Sequence, residues 1–293
     1  MDQRGSIHPR CAMMADVDVR HRVLGMTLAR CRRDRGLTTR QAASWLGMSA
    51  ASLNRSENAR RRFEPVEVGA ALAAYRATGA VRAQVSALAD GPQAGGWWET
   101  TNMPPSHELA VRLVERDARS VVEFSTTEIP LVAQVSSYTR ALWWNRPVDT
   151  HAALTRAACR REVLLEPTQP QRTLILDEAV LRRPVGGPTA MAQQLRHLLA
   201  LVHGRPITVR VIPFKEGGYR SPGNCAVYRI TDKPTVVHLW SGTASGLLDD
   251  PSHTEDIEKS VDDLLSIAAT PAESAGLLAR FAADHERTAG LYP

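Results

Sequence analysis

The sequence predicts an all-α domain at the N-terminus, followed by an α/β (α+β) domain with a small mixed sheet. Three observations support this fold class. Apolar residues recur at helical spacing throughout residues 23–90. A glycine-rich segment at residues 91–96 follows, as expected of a linker. Beyond it, short apolar runs typical of strands alternate with helical stretches, a pattern that indicates a sheet covered by helices.

The length of the chain agrees with two domains. It has 293 residues, 43% of them hydrophobic and 23% charged, which gives each domain enough chain to bury a core. We divide it into a flexible arm over residues 1–19, a helical domain over 20–90, the linker and a larger domain over 97–287. We find no internal repeat.

Composition excludes several classes of protein. No apolar run is long enough to cross a bilayer, and the N-terminus lacks the apolar core of a signal peptide, so we expect a cytoplasmic protein. Translation could begin at Met1, Met13 or Met14. The cysteines and histidines lack the spacing of a disulfide framework or a metal site, so the sequence predicts no metal and no cofactor. The four cysteines are Cys11, Cys31, Cys159 and Cys225.

Charge is distributed unevenly along the chain. Residues 1–90 contain 15 arginines, no lysine and 8 acidic residues, for a formal charge of +7. The remainder contains 21 basic and 23 acidic residues, for a charge of −2. A basic N-terminal part on a slightly acidic body predicts a polyanionic partner, although a solvated basic surface would give the same numbers.

A motif in residues 37–62 decides between these two interpretations. Thr38 and Gln41 form a capping box that starts one helix, and Ser49 is suited to cap the next. Gly47 lies between them, where a tight turn needs a left-handed backbone. Leu53 then points back into the core. Helix, glycine turn and capped helix form a helix-turn-helix, which places its second helix in the major groove of DNA.

The outward positions of this second helix are candidates for reading bases. They follow the cap Ser49 and are Ala50, Ala51, Ser52, Asn54 and Arg55. Other arginines are placed to bind phosphates, namely Arg40, Arg60, Arg61 and Arg62. Two alternatives stay open at this point. Arg55 could pair with a carboxylate instead of DNA, and a helix-turn-helix can also bind a protein.

The larger domain is predicted from its pattern in chain order. Helices are expected at 107–124, 137–143, 150–165, 188–202, 254–269 and 272–285, and strands at 173–177, 207–212, 226–230 and 235–239. The strand, helix and strand over 173–212 have the lengths of a crossover between parallel strands. The last two strands, joined by a short proline-containing turn, indicate an antiparallel hairpin.

A small-molecule site is one hypothesis for this domain. Asp177 and Glu178 lie at the carboxyl end of a predicted parallel strand, where α/β domains bind ligands, and Gly186 and Gly187 precede a helix that could receive an anion. The simpler alternative is that Glu178 pairs with Arg182 one helical turn later and that the glycines only shape a turn.

Two tryptophans and a histidine complete the candidates. Trp97 and Trp98 could pack helices onto the sheet or anchor a partner protein.

The chain lacks a nucleophile elbow, a phosphate-binding P-loop and a dinucleotide-binding glycine motif, so we expect that it is not an enzyme. The alternative is that the chain is an enzyme, with an unrecognised active site built from Asp177, Glu178 and His238.

The motif resembles the Xre, or phage-repressor-like, helix-turn-helix family. The matching positions are Leu37, Thr38, Ala43, Leu46, Gly47, Ser49, Leu53, Arg55 and Glu57. The rest of the chain resembles the C-terminal domain of actinobacterial WhiJ-like regulators. That resemblance lies in Trp97, Trp98, Gln134, Arg156, Arg160, Glu273, Ser274 and the segments 114–118, 129–130, 138–141, 176–183, 185–187 and 211–213.

The two resemblances imply a transcriptional regulator, often paired with a small protein encoded nearby. We therefore expect a nucleoid-associated homodimer that binds double-stranded DNA and receives a regulatory signal, ligand or partner, through its C-terminal domain. The first rival is an antitoxin-like module that holds a small partner protein and binds DNA weakly.

Overall fold

The computed structural model describes residues 18–89, 96–99, 105–144, 150–166, 168–204, 207–242 and 244–290. Most of the predicted arm and of the predicted linker lies outside these residues. The three candidate start methionines also lie outside them. The described chain divides into two compact units. One contains the residues up to Val114 together with Gly246–Asp250, and the other contains Glu115–Ser245 and the residues from Pro251 onward.

The N-terminal part is helical, as predicted. Its helices are α1 (Val19–Asp34), α2 (Thr39–Trp45), α3 (Ala50–Glu57), α4 (Pro65–Ala74) and α5 (Gly79–Ala89). Their core is formed by buried apolar side chains, among them Val23, Leu24, Leu28, Ala42, Ala43, Leu53, Val68, Leu72 and Val85.

Close packing of α1 against the end of α3 depends on one glycine. A Cβ atom added at Gly25 would lie 2.6 Å from the carbonyl oxygen of Ser56 and 3.0 Å from that of Glu57. Real Cβ atoms do not approach backbone oxygens so closely, so any side chain here would force the two helices apart.

The chain from Trp97 onward contains a mixed sheet, which confirms the predicted α+β class. The strands are β1 (Trp97–Glu99), β2 (Ala118–Ser125), β3 (Gln171–Asp177), β4 (Thr208–Ile212), β5 (Cys225–Ile230), β6 (Val236–Ser241) and β7 (Ala244–Leu248). Their order across the sheet is β1-β7-β6-β5-β2-β3-β4. The parallel pairs are β2 with β3 and β3 with β4, whereas β5 is antiparallel to both β2 and β6.

Seven further helices accompany the strands in the described chain. They are α6 (Pro105–Asp117), α7 (Ser136–Leu142), α8 (Thr150–Glu162), α9 (Glu178–Arg182), α10 (Pro188–Gly204), α11 (Pro251–Ile267) and α12 (Pro271–Thr288). The β3–α10–β4 crossover and the β5–β6 hairpin confirm two of the sequence predictions. Helices α10 and α12 pack closely together, and the core around them includes Leu174, Leu176, Leu195, Leu198, Leu278 and Phe281.

One predicted element was wrong in its second half. The helix expected over residues 107–124 ends at Asp117, and the chain continues directly as strand β2. Val121, Val122 and Phe124 are buried there, between β3 on one side and β5 on the other. Their β-branched and aromatic side chains suit a strand buried on both faces, and pairing with two neighbours outweighs the helical spacing that continues from α6.

Within the larger unit, a buried ionic network joins β2 and β3 to the end of α6 and to α8. Arg172 on β3 donates to Glu115 on α6 and to Glu123 on β2, and Arg160 on α8 also donates to Glu115. All four side chains are almost fully buried. Since a buried charge is tolerated only when it is paired, the four residues are mutually dependent.

Among the described residues, no helix is both long enough and apolar enough to cross a membrane. The same part of the chain contains no group of three or more His, Cys, Asp or Glu side chains placed to hold a metal ion.

Candidate nucleic-acid interface

Helices α2 and α3 form the predicted helix-turn-helix. The Thr38 hydroxyl accepts from the backbone N–H of Gln41, and the Gln41 side chain accepts from the Thr38 N–H, so the capping box is complete. Gly47 has a φ of +64°, the left-handed conformation that the turn requires. Ser49 caps α3 by accepting from the N–H of Ser52 at 3.0 Å. The three signals read from the sequence are therefore confirmed.

Helix α3 has one buried side and one open side. Leu53, Ser56 and Glu57 point inward and are buried. The candidate base-reading residues lie on the other side. The exposed ones are Ser49, Ala51, Asn54 and Arg55, and the half-buried ones are Ala50 and Ser52.

The inward side of α3 is anchored by an ion pair that the sequence analysis missed. Arg32 on α1 donates to both carboxylate oxygens of Glu57, from Nε at 2.7 Å and from Nη2 at 2.9 Å. Its third nitrogen, Nη1, donates to the carbonyl oxygen of Leu37 at 2.6 Å. The hydrogen bond to Glu57 raises the pKa of Arg32. Only the opposite charges of the two residues, 25 positions apart, could have indicated this pair from sequence.

Small hydrogen-bond networks fix the polar side chains on the open side. The Ser49 hydroxyl donates to the Ser52 hydroxyl at 2.9 Å, and Arg55 donates to the same Ser52 oxygen at 3.3 Å. Asn58, at the end of α3, donates from Nδ2 to the carbonyl oxygen of Asn54 at 2.9 Å and to its Oδ1 at 3.3 Å. Arg55 therefore lies against Ser52, while the carboxylate of nearby Glu57 is bound by Arg32.

The four candidate phosphate-binding arginines differ in their surroundings. Arg40 at the start of α2 and Arg60 after α3 are exposed, whereas Arg61 and Arg62 are half-buried. Arg61 donates to both carboxylate oxygens of Glu67, at 2.8 and 2.7 Å, and to the Ser56 hydroxyl at 2.9 Å. The bond with Glu67 raises the pKa of Arg61. Arg61 thus joins the end of α3 to α4, a structural role that the sequence analysis did not assign.

The acidic residues of the proposed small-molecule site are engaged within the fold. Asp177 caps α9 by accepting from the N–H of Ala179 at 2.7 Å, and its other oxygen accepts from the Tyr219 hydroxyl. Glu178 accepts from Arg182 at 2.7 Å and from the backbone N–H of Phe214 at 2.8 Å. The pairing of Glu178 with Arg182 agrees with the simpler of the two hypotheses.

The two glycines of that hypothesis form a turn before α10. Gly186 and Gly187 have φ values of +74° and +87°, and the N–H of Gly187 donates to the carbonyl oxygen of Pro184 at 2.9 Å. A Cβ atom at Gly186 would lie 2.8 Å from that of Ala141. Backbone conformation and close packing therefore account for both glycines.

The candidate tryptophans have different environments. Trp97 is buried, with the guanidinium of Arg20 4.9 Å above its ring and the ring of His107 against it at 4.8 Å. Trp98 is 49% exposed, and its ring packs where Gly246 has no side chain. Trp97 thus contributes to the core of its unit, and Trp98 alone of the two presents a large apolar surface.

The structure does not bring His238 to the two acidic residues. His238 lies on β6, where its Nε2 is 2.8 Å from the Ser245 hydroxyl. Asp177 ends β3, three strand positions away across the sheet, or about 14 Å at the usual strand spacing. The three side chains of the rival enzyme hypothesis therefore do not converge.

Comparison with known families identifies both parts of the chain. Residues 23–85 match a family described as a helix-turn-helix domain. Residues 110–280, more than half of the chain, match a family described as a domain of unknown function, DUF5753. A search of the curated proteins found no match.

Proposed function

The chain belongs to the DUF5753 family, and we propose that it is a sequence-specific DNA-binding transcriptional regulator. The observation that carries this proposal is the open side of α3. A capped helix with small and polar side chains facing outward, preceded by a left-handed glycine turn, has the geometry of a recognition helix. The helix-turn-helix match over residues 23–85 supports the same function.

The electrostatics of the domain support DNA as the ligand. Residues 1–90 have a formal charge of +7 in a chain of +5, and Arg40 and Arg60 extend from either end of the motif. Arginines in such positions bind phosphates and release counterions, so affinity should fall steeply with salt. Asn54, Arg55 and Ser52 supply hydrogen bonds to base edges, and Ala50 and Ala51 supply methyl contacts.

The finer parts of the proposal follow from the resemblance to Xre-type and actinobacterial WhiJ-like regulators. We propose a homodimer whose two recognition helices bind half-sites one duplex turn apart, in the cytoplasm at the nucleoid. The C-terminal domain supplies dimerisation and receives a signal from a small partner protein or a ligand.

Gel retardation tests the proposal directly. The full-length protein is mixed with the DNA upstream of its own gene and with a scrambled duplex of the same length, at two salt concentrations. We expect tighter binding to the upstream DNA and a steep loss of affinity at the higher salt. A stoichiometric small protein that co-purifies with the chain, together with no retardation of either duplex, would instead favour the antitoxin-like module.

Three variants separate phosphate binding from base reading. Arg60→Ala should weaken binding to all duplexes. It should also reduce the salt slope, which is the slope of log affinity against log salt concentration, by about the amount that one lost phosphate contact gives. Arg61→Ala is its matched control, because Glu67 already holds that guanidinium, and it should change the salt slope less. Asn54→Ala should lower affinity for the upstream DNA more than for the scrambled duplex. Equal losses on both duplexes would refute base reading by Asn54.

A further inference from the structure

The hydrogen-bonding capacity of the open side of α3 is already partly used inside the protein. Each base edge carries its own pattern of hydrogen-bond donors and acceptors. A side chain recognises the base only if it offers the complementary group. Among the candidate base-reading residues after the cap, three have polar side chains, and they are Ser52, Asn54 and Arg55. For each of them, the internal hydrogen bonds determine which kind of group faces outward.

The orientation of the Asn54 amide follows from its neighbour Asn58. The Asn58 side chain lies 2.9 Å from the carbonyl oxygen of Asn54, and a carbonyl oxygen can only accept, so the atom facing it must be the Nδ2 donor. The same Nδ2 lies 3.3 Å from the Asn54 side chain, which must therefore present its oxygen to Asn58. The NH₂ group of Asn54 is left to face outward. Asn54 thus offers a donor.

Ser52 and Arg55 also offer donors. The Ser52 oxygen accepts from the Ser49 hydroxyl and from Arg55, which occupies both of its lone pairs and leaves its own O–H to donate. A guanidinium has five N–H donors and no acceptor, and only one nitrogen of Arg55 is engaged with Ser52. All three outward side chains therefore present the same kind of group.

We propose that Ser52, Asn54 and Arg55 hydrogen-bond to base edges only as donors, so that the half-site presents guanine, whose N7 and O6 are both acceptors, to Asn54 and Arg55. This inference rests on the proposed function. Asparagine usually recognises adenine by presenting its donor and its acceptor to the base together, but here the Asn54 oxygen is turned toward Asn58, away from the direction in which its NH₂ group points. Asn58 is accordingly a positioning residue, which sets base preference without touching a base.

The experiment begins with selection from a pool of randomised DNA duplexes by the full-length protein. The selected half-site should contain guanine at the positions that Asn54→Ala and Arg55→Ala each relax. Replacing one of those guanines by 7-deazaguanine removes the N7 acceptor and preserves base pairing, and it should weaken binding at least about fivefold. The same replacement outside the half-site is the control and should leave affinity unchanged.

Two variants test the role of the amide orientation. In Asn58→Gly the Asn54 amide is free to rotate, so adenine should become acceptable at the base that Asn54 reads. Asn58 is exposed, and its φ of −97° is one that glycine also adopts, so the fold should be kept, and circular dichroism checks this. In Asn54→Asp the outward donor becomes an acceptor, so selection should shift toward cytosine, whose N4 donates.

The outcomes distinguish failure of the inference from failure of the proposed function. If no sequence is enriched from the pool, the protein is not a sequence-specific DNA binder and both proposals fall. If a half-site is enriched but adenine or cytosine faces Asn54 in the unmodified protein, the donor-only inference alone is overturned. An unchanged preference in Asn58→Gly would likewise overturn the positioning role of Asn58.

Discussion

Removal of Glu57 should uncouple α3 from α1, because it leaves the Arg32 guanidinium buried without its partner. Both side chains are almost enclosed, at 10% and 5% exposure, and Arg32 donates to Glu57 twice. Breaking a buried pair from one side costs about 3–5 kcal/mol, since the remaining charge stays desolvated. Against a typical stability of about 5–15 kcal/mol, Glu57→Ala should remove about a fifth or more of the stability of the helical domain.

Amide hydrogen exchange measures this loss where it occurs. A protein with two units need not unfold in one step, so a single melting curve would mix their contributions. Exchange followed by mass spectrometry instead gives the opening free energy of peptides from α1 and α3. We expect protection there to fall by about 3 kcal/mol or more in Glu57→Ala, while peptides from α10 and α12 are unaffected.

A double variant shows whether the charge, and not the lost volume, is responsible. Arg32→Met combined with Glu57→Leu replaces the pair by apolar groups of similar size, which is often close to neutral. We expect it to recover most of the protection lost in the single variants. A loss below about 1 kcal/mol in Glu57→Ala, or a double variant that loses as much as the two single variants together, would contradict coupling of α3 to α1 through this ion pair.

Three further predictions concern other parts of the chain. Burial, with a smaller effect of the Arg20 charge, lowers the pKa of His107 to about 4. The unfolded chain therefore binds a proton between about pH 6.5 and 4 that the folded chain does not. As the pH falls through this window, the opening free energy of peptides from α6 in hydrogen exchange should fall, and less so in His107→Leu. Gly25→Ala should destabilise the helical domain by about 1–3 kcal/mol in hydrogen exchange, because its Cβ would meet the Ser56 carbonyl oxygen. Arg172→Met should lower the opening free energy of peptides from β2 and β3 in hydrogen exchange by about 3–5 kcal/mol, because Glu123 stays buried without this donor while Glu115 keeps Arg160.

Local signals explain why much of the fold could be predicted from the sequence. The capping box at Thr38, the left-handed turn at Gly47 and the cap at Ser49 each depend on a few adjacent residues. The β3–α10–β4 crossover follows from the lengths of its segments and the right-handed rule for parallel strands. Strand β2 could not be predicted in this way, because only its distant partners β3 and β5 decide its conformation.

The candidate interface shows the same contrast between features set by adjacent residues and features set by contacts between distant ones. The exposure of Ala51, Asn54 and Arg55 follows from helical periodicity and was predicted from the sequence, whereas Ala50 and Ser52 are half-buried. The pairs Arg32–Glu57 and Arg61–Glu67 were not predicted, because each joins two helices whose separation along the chain gives no pairing signal. Asn58 was missed for another reason. It acts on the orientation of a neighbouring amide, which no spacing or composition reveals.

The two sides of α3 therefore have separate tasks. The inward side is fixed by Leu53, by Glu57 with its partner Arg32, and by the close approach of Ser56 to Gly25. Because these contacts hold the helix without help from the outward side chains, exchanges at Ala51, Asn54 or Arg55 should change which bases are read while leaving the fold intact. Base preference can then vary among chains with this scaffold at little cost in stability, provided that the inward contacts are kept.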